Sequence, residues 1–307
     1  MTKNLLLLLL GVVTAGYVVG WTILARRPGH AAPGTTGKPR LLDLIIGFGA
    51  NFLDTLGIGS FATTSSAYKL RHLVQDEDIP GTLNVGHAIP TIVEAFIFVA
   101  ILEVDMKTLV ALIVASVLGA WLGAGVISSW SRRKVQIGLG LALCGAAVLM
   151  MMTQLKLLPG GGTAIGLEGI RFWLGVAGNF MLGALMTLGI GLYAPCMILI
   201  YLLGMTPTAA FPIMMGSCAF LMPIGGLRFI RSGRYNMKAA VGLALGGIPG
   251  VLLAAFLVKS LPLSAVRWLV VCVVLYTAAM LLKSAVAEAK KARDNPLEPS
   301  AETSTAD

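Results

Sequence analysis

Thr55-Leu56-Gly57-Ile58-Gly59 recurs letter for letter as Thr187-Leu188-Gly189-Ile190-Gly191, and each copy follows an Asn-Phe pair, Asn51-Phe52 and Asn179-Phe180. A second echo lies downstream: Asp105-Met106-Lys107 opens one apolar run and Asn236-Met237-Lys238 opens its counterpart. The two matches stand in the same order, 132 and 131 residues apart. The chain therefore reads as one unit written twice. Duplicated apolar units interrupted by glycine in corresponding places are the strongest sequence pointer to the binding site of a membrane transporter.

Composition agrees. Hydrophobic residues make up 57% and charged residues 12%, where a soluble domain carries about a quarter charged. Runs such as Thr108–Ser128 and Ala239–Val258 contain no ionisable side chain, and each is long enough to cross a hydrocarbon core of roughly 30 Å as a helix. The expected class is an all-α polytopic membrane protein. The net charge of +9 does not argue for nucleic acid, because the basic residues sit at segment ends rather than in one patch. Cys144, Cys196, Cys218 and Cys272 all lie in apolar segments without CxxC spacing, so neither a disulfide framework nor a zinc site is expected.

Leu5–Leu24 is longer than a secretory h-region and ends in Ala25-Arg26-Arg27 without a small-x-small cleavage site, which predicts a retained first helix. The organisation expected is a helix and linker over 1–40, a first membrane unit over 41–155, a linker over 156–170, a second unit over 171–285, and a disordered cytoplasmic tail over 286–307. Each unit holds four apolar segments. Its leading segment, 41–70 or 171–203, is about thirty residues long, half as much again as a straight crossing needs. A helical hairpin broken at Gly-Ile-Gly, re-entrant or fully crossing, fits instead.

Loop charges separate the models. With both leading segments folded as hairpins, 17 Lys and Arg lie on one face, including Arg26, Arg27, Arg132, Arg133, Arg228 and Arg234, and 6 on the other, including Lys107 and Lys156. That satisfies the positive-inside rule and puts the N-terminus outside and the C-terminus in the cytoplasm. A hairpin plus three crossings makes each unit odd, so the second is inverted relative to the first and the two breaks meet near the midplane. Irregular backbone at that depth must be buried or line a watery cavity. Helix starts at such breaks carry free N–H groups that suit an anion.

With both hairpins in view, the chain resembles the TauE/SafE sulfite-exporter family of bacterial membrane proteins over most of 41–285. The resemblance is carried by the Gly-Ile-Gly hairpins (47–70 and 175–200) and by the basic stretch from Gly225-Gly226-Leu227-Arg228 to Asn236-Met237-Lys238. Gly216-Ser217, with Gly86-His87 at the equivalent place, also looks like the family's pattern. It implies export of sulfite, sulfoacetate or related organosulfonates across the bacterial plasma (inner) membrane. The chain departs from the pattern at Gly59-Ser60-Phe61, since only the second copy, Gly191-Leu192-Tyr193-Ala194-Pro195, keeps the proline.

The hairpins supply Asn51, Thr55, Gly57, Gly59, Ser60 and Thr63 on one side, with Thr64 and Ser65 beside them, and Asn179, Thr187, Gly189, Gly191, Tyr193 and Cys196 on the other. Ser217 joins them as a substrate-binding candidate. Small hydroxyls and exposed amides can hold sulfur oxyanions without a formal cation, though the same residues also let helices pack closely. Asp54, His87 and Glu94 interrupt the first unit, and ionisable groups inside membrane segments are functional candidates by default. His87 and Glu94 are seven apart and share a helical face. Glu94 is the expected proton carrier, with His87 as a relay and Asp54 as a third candidate.

No GxxxxGK[ST], HExxH or GxSxG occurs, so an enzyme is not expected, nor a cofactor or metal. The expected partners are a small anionic substrate and the lipid bilayer, with a homo-oligomer left open. The competing readings are an uncoupled anion channel or facilitator, and an intramembrane thiol redox protein using Cys196 and Cys218.

Overall fold

A computed structural model describes residues 2–25, 37–122, 131–155, 157, 162–186 and 191–294. Its long elements are α1 (Lys3–Ala25), α2 (Leu41–Thr55), α3 (Ser60–Arg71), α4 (Ile79–Ile101), α5 (Met106–Leu122), α6 (Arg132–Gln154), α7 (Gly169–Met186), α8 (Tyr193–Leu202), α9 (Ala210–Ser232), α10 (Met237–Ser260) and α11 (Leu263–Asp294). Apart from two 3₁₀ turns and one bridge between Ala164 and Met205, no other regular element occurs among the described residues. Seven helices, α1, α4, α6, α7, α9, α10 and α11, are long and apolar enough to cross a membrane. The chain is an all-helical protein of that kind.

The first Gly-Ile-Gly break is where the chain needs it. Gly57 and Gly59 adopt φ of 98° and 88°, a region that residues with a Cβ avoid. They turn α2 back into α3. At 15 and 12 residues, these helices span only about 22 and 18 Å.

The second hairpin differs from expectation. α7 begins at Gly169, 128 residues after α2 begins at Leu41, yet it runs 18 residues and is itself long enough to cross. The spacing from Asn-Phe to the pentapeptide explains this: four residues separate Asn51 from Thr55, and eight separate Asn179 from Thr187. The insertion adds about one helical turn. Residues 187–190, including Thr187 and Gly189, lie outside the described residues. At the C-terminus the helix α11 continues to Asp294, into the stretch read as a disordered tail, because Ala285–Arg293 is rich in the strong helix formers Ala, Lys and Glu.

The repeated Asp/Asn-Met-Lys has a local cause. Asp105 Oδ2 accepts from Thr108 N–H at 2.8 Å and from Thr108 Oγ1 at 2.8 Å, and Asn236 Oδ1 accepts from Ala239 N–H at 3.1 Å. Both side chains therefore cap the first turn of their helices. Partial burial raises the Asp105 carboxyl, but the Thr108 hydrogen bonds and the Lys107 charge outweigh it and hold Asp105 below its ordinary 3.8.

Helix pairing links the two halves. α2 packs along α10, and α7 packs along α5; α4 packs on α9, and α6 on α11. The hairpin of each half thus lies against the third long helix of the other. These crossings are built on glycine. A Cβ at Gly246 or Gly250 would overlap the Leu44 or Phe48 carbonyl, and one at Gly119 or Gly183 the Phe180 or Ser116 carbonyl. Without a side chain the backbones approach directly, which is how helices associate in lipid. The centre is α4 and α9, whose spans are 61% and 72% buried against 22% for α1. Their interior Pro90 and Pro223 leave both helices unbroken.

Candidate functional site

Next to the first hairpin, the central helix α4 carries His87 and Glu94, both fully buried. The α2 side chains reach them because Asn51 and Thr55 sit one turn apart on the face turned to α4. Asn51 Nδ2 donates to the Gly47 carbonyl at 2.7 Å, which turns Oδ1 toward His87 Nδ1, 3.0 Å away. An amide oxygen only accepts, so Nδ1 carries the imidazole proton. Thr64 Oγ1 lies 3.0 Å from Nε2 and donates to it, so neutral His87 has both nitrogens satisfied. Phe61 covers the ring at a centroid distance of 6.1 Å.

One turn along, Thr55 Oγ1 contacts Glu94 Oε1 at 2.8 Å, and Tyr193 OH donates to Glu94 Oε2 at 3.0 Å. Thr55 ends the first helix of the first hairpin, and Tyr193 begins the second helix of the other. Glu94 therefore joins the two. The hairpins also touch through apolar atoms, since a Cβ at Gly57 would run into Met197 Cε of α8.

Asp54, 3% exposed, has a different job. Its Oδ1 accepts from Ser60 N–H at 2.7 Å and its Oδ2 from Ser60 Oγ at 3.0 Å. Both contacts come from Ser60, so the carboxyl ties the end of α2 to the start of α3. Asp54 occupies the anion position at the start of α3, where exposed N–H groups and the helix dipole favour negative charge. Thr63 Oγ1 bonds back to the Ser60 carbonyl at 2.8 Å, within the same turn.

The second half repeats the frame with less polarity. Asn179 Nδ2 donates to the Leu112 carbonyl at 2.7 Å and to Ser217 Oγ at 3.2 Å. Asn179–Ser217 thus stands where Asn51–His87 stands in the first half. Asn179 Oδ1 is buried without a hydrogen-bond partner among the described residues, because a serine hydroxyl replaces the imidazole that satisfies Asn51. Cys196 and Cys218 are buried free thiols, with Cys218 Sγ 3.8 Å from Met186 Sδ. Gly191 is exposed. No cluster of His, Cys, Asp and Glu able to hold a metal occurs among the described residues.

The family described as Sulfite exporter TauE/SafE matches this chain over residues 171–304. The match bears out the resemblance over that stretch, and seven helices among the described residues are long and apolar enough to cross a membrane. The match begins at Arg171, on α7, and includes the second hairpin, α9 and α10, so Asn179, Tyr193, Cys196 and Ser217 fall inside it while Asn51, Asp54, His87 and Glu94 fall outside. No curated protein and no solved structure matches the chain.

Among the expected site residues, Asn51, Thr55, His87, Glu94 and Tyr193 come together in one connected network with Thr64. Asp54, Ser60 and Thr63 form the adjoining cap, and Asn179 and Ser217 form a separate pair. Sequence reasoning missed the Leu112 carbonyl, a backbone group that no residue type signals. It also missed the link from Tyr193 to Glu94, which spans 99 positions.

Proposed function

We propose that this chain is a secondary transporter that exports sulfite, sulfoacetate or related organosulfonates across the bacterial plasma membrane, by alternating access between inverted repeats and in exchange for or together with protons. The observation that carries this reading is Glu94, fully buried and bonded to one hydroxyl from each hairpin. A titratable group shared by two halves can tie its proton to their relative arrangement. The reciprocal pairing of α2 with α10 and of α7 with α5 supports two related units, 41–155 and 171–285, joined by 156–170.

The anion is assigned to the second hairpin. At the first, Asp54 already fills the start of α3. At the second, Met186 stands where Asp54 stands relative to the pentapeptide, so the first turn of α8 has no acidic rival. Gly191, Tyr193 and Cys196 would line the substrate there, with Thr187 and Gly189, and Asn179 and Ser217 behind them. Asn51, Thr55, Gly57, Gly59, Ser60 and Thr63 would complete the far wall. Dipoles and hydroxyls hold an oxyanion weakly enough to release it. Purified protein in liposomes is expected to raise sulfite or sulfoacetate flux over protein-free vesicles and to respond to an imposed pH gradient. Flux that ignores the gradient would favour a facilitator, and no flux of any sulfur oxyanion would overturn the substrate class.

The charge split assigns Arg133 and Arg228 to the cytoplasmic face, with the N-terminus outside. Single cysteines replacing Arg133, at the start of α6, and Leu157, three residues past its end, are expected to react with an impermeant maleimide from opposite sides of the membrane in a background without the native cysteines. Labelling from one side would refute the crossing count.

A further inference from the structure

The contacts around Glu94 outnumber the hydroxyl protons available to make them. Thr55 Oγ1 lies 2.8 Å from the Asn51 carbonyl oxygen and 2.8 Å from Glu94 Oε1. A threonine hydroxyl carries one proton, and a backbone carbonyl can only accept. With that proton on the Asn51 carbonyl, the equally short contact to Glu94 requires a proton on Oε1. The Tyr193 hydroxyl donates to the other oxygen. A protonated acid thus gives every atom a complement. An ionised one would leave two oxygens in hydrogen-bond contact with nothing between them.

We infer that protonated Glu94 is a clasp between the two hairpins, with Thr55 and Tyr193 as its positioning residues, and that loss of the Oε1 proton opens it. This rests on the proton-coupled reading above and gives that proton a mechanical consequence. In the opening step the Oε1–H bond breaks, its electron pair stays on Oε1, and the proton passes to a water molecule. The new carboxylate then competes with the Asn51 carbonyl for the single Thr55 proton. It also stands near the Asp54 carboxyl, in an interior where like charges repel strongly.

Among the described residues, no basic side chain is hydrogen-bonded or paired to Glu94. The titratable groups facing Glu94 are Asp54 from α2, Tyr193 from α8 and Cys218 from α9. On α4 itself, His87 is occupied on both nitrogens. Of the other helices against α4, α10 has no ionisable residue between Lys238 and Lys259, α1 has only Tyr17 beyond Lys3, and α3 has Tyr68, Lys69 and Arg71 at its far end.

The test is a distance measured in the full chain in liposomes. Spin labels replace Ala62, exposed on α3, and Leu202, 56% exposed on α8, in a background without the native cysteines. Raising the pH is expected to shift the wild-type distance by on the order of 5 Å, one helical turn. Glu94→Gln should hold the low-pH distance at every pH, because its amide donates to Thr55 and accepts from Tyr193. Tyr193→Phe should show the high-pH distance even in acid, and it carries the test if the Gln variant fails to fold. A wild-type distance that ignores pH, or a Gln variant that follows the wild type, overturns the clasp. Flux read in the same vesicles separates the two ideas. A lost gradient response with an unmoved distance refutes the clasp alone, whereas a retained response in Glu94→Gln refutes the coupling reading itself.

Discussion

Glu94→Gln is expected to leave anion binding close to wild type while removing the response of transport to an imposed pH gradient. The carboxyl sits where two hydroxyls meet it, and glutamine has almost the same shape with one donor and one acceptor end. The geometry is therefore kept, and only the exchangeable proton is lost. For one coupled proton, each unit of pH gradient is worth about 1.4 kcal/mol, or about tenfold in accumulated substrate. The variant should accumulate none above equilibrium. Radiolabelled sulfite uptake at several gradients, alongside binding measured without a gradient, checks both halves of the claim. A Gln variant that still accumulates substrate with the gradient would reduce Glu94 to a structural hydrogen-bonder. Tyr193→Phe and Thr55→Val should weaken the response through lost positioning, while Asp54, engaged as a cap for α3, should act mainly on stability.

Gly119→Leu and Gly250→Leu are expected to be the most damaging substitutions away from the polar network. The two positions are 131 residues apart, in corresponding places of the two halves, and a Cβ at either would meet a phenylalanine carbonyl of the facing helix, Phe180 or Phe48. A backbone carbonyl cannot rotate aside as a side chain can. The helices must separate, at a cost of about 3 kcal/mol or more, and the close contact that stabilises the pair in lipid goes with it. Gly138→Leu is the control, because nothing lies within 4 Å of a Cβ there; it should stay within about 0.5 kcal/mol. Melting temperature in detergent and recovery of monodisperse protein provide the readout. Wild-type melting of Gly250→Leu would mean that the α2–α10 contact does not hold the halves together.

Much of the first hairpin was legible because its signal is chemical and local. A segment of thirty apolar residues cannot be one straight crossing, and Gly57 and Gly59 supply the positive φ that the turn demands. Asp105 and Asn236 were legible as a repeat, though their meaning as caps emerged only from the hydrogen bonds to Thr108 and Ala239. The length of α7 was written in the eight residues from Asn179 to Thr187, but its weight depended on knowing that α7 starts in register with α2. Asp54, His87 and Glu94 stood out because charge inside an apolar run is costly. The partners of each did not, since only the folded bundle sets Ser60 against Asp54, Asn51 and Thr64 against His87, and Thr55 and Tyr193 against Glu94.

Composition, the duplicated pentapeptide and the spacing of apolar runs determined the all-helical class of this protein, the glycine break of its first hairpin and its list of polar candidates. These are properties of short stretches of chain, governed by backbone sterics and by the cost of exposing polar groups to lipid. Tertiary structure alone decided that Thr55, Glu94 and Tyr193 meet, that Asp54 bonds to Ser60 at the start of α3, and that α2 lies on α10. Those outcomes depend on helix rotation and on backbones closing over glycines more than a hundred residues apart in the chain, and packing of the whole bundle sets them together.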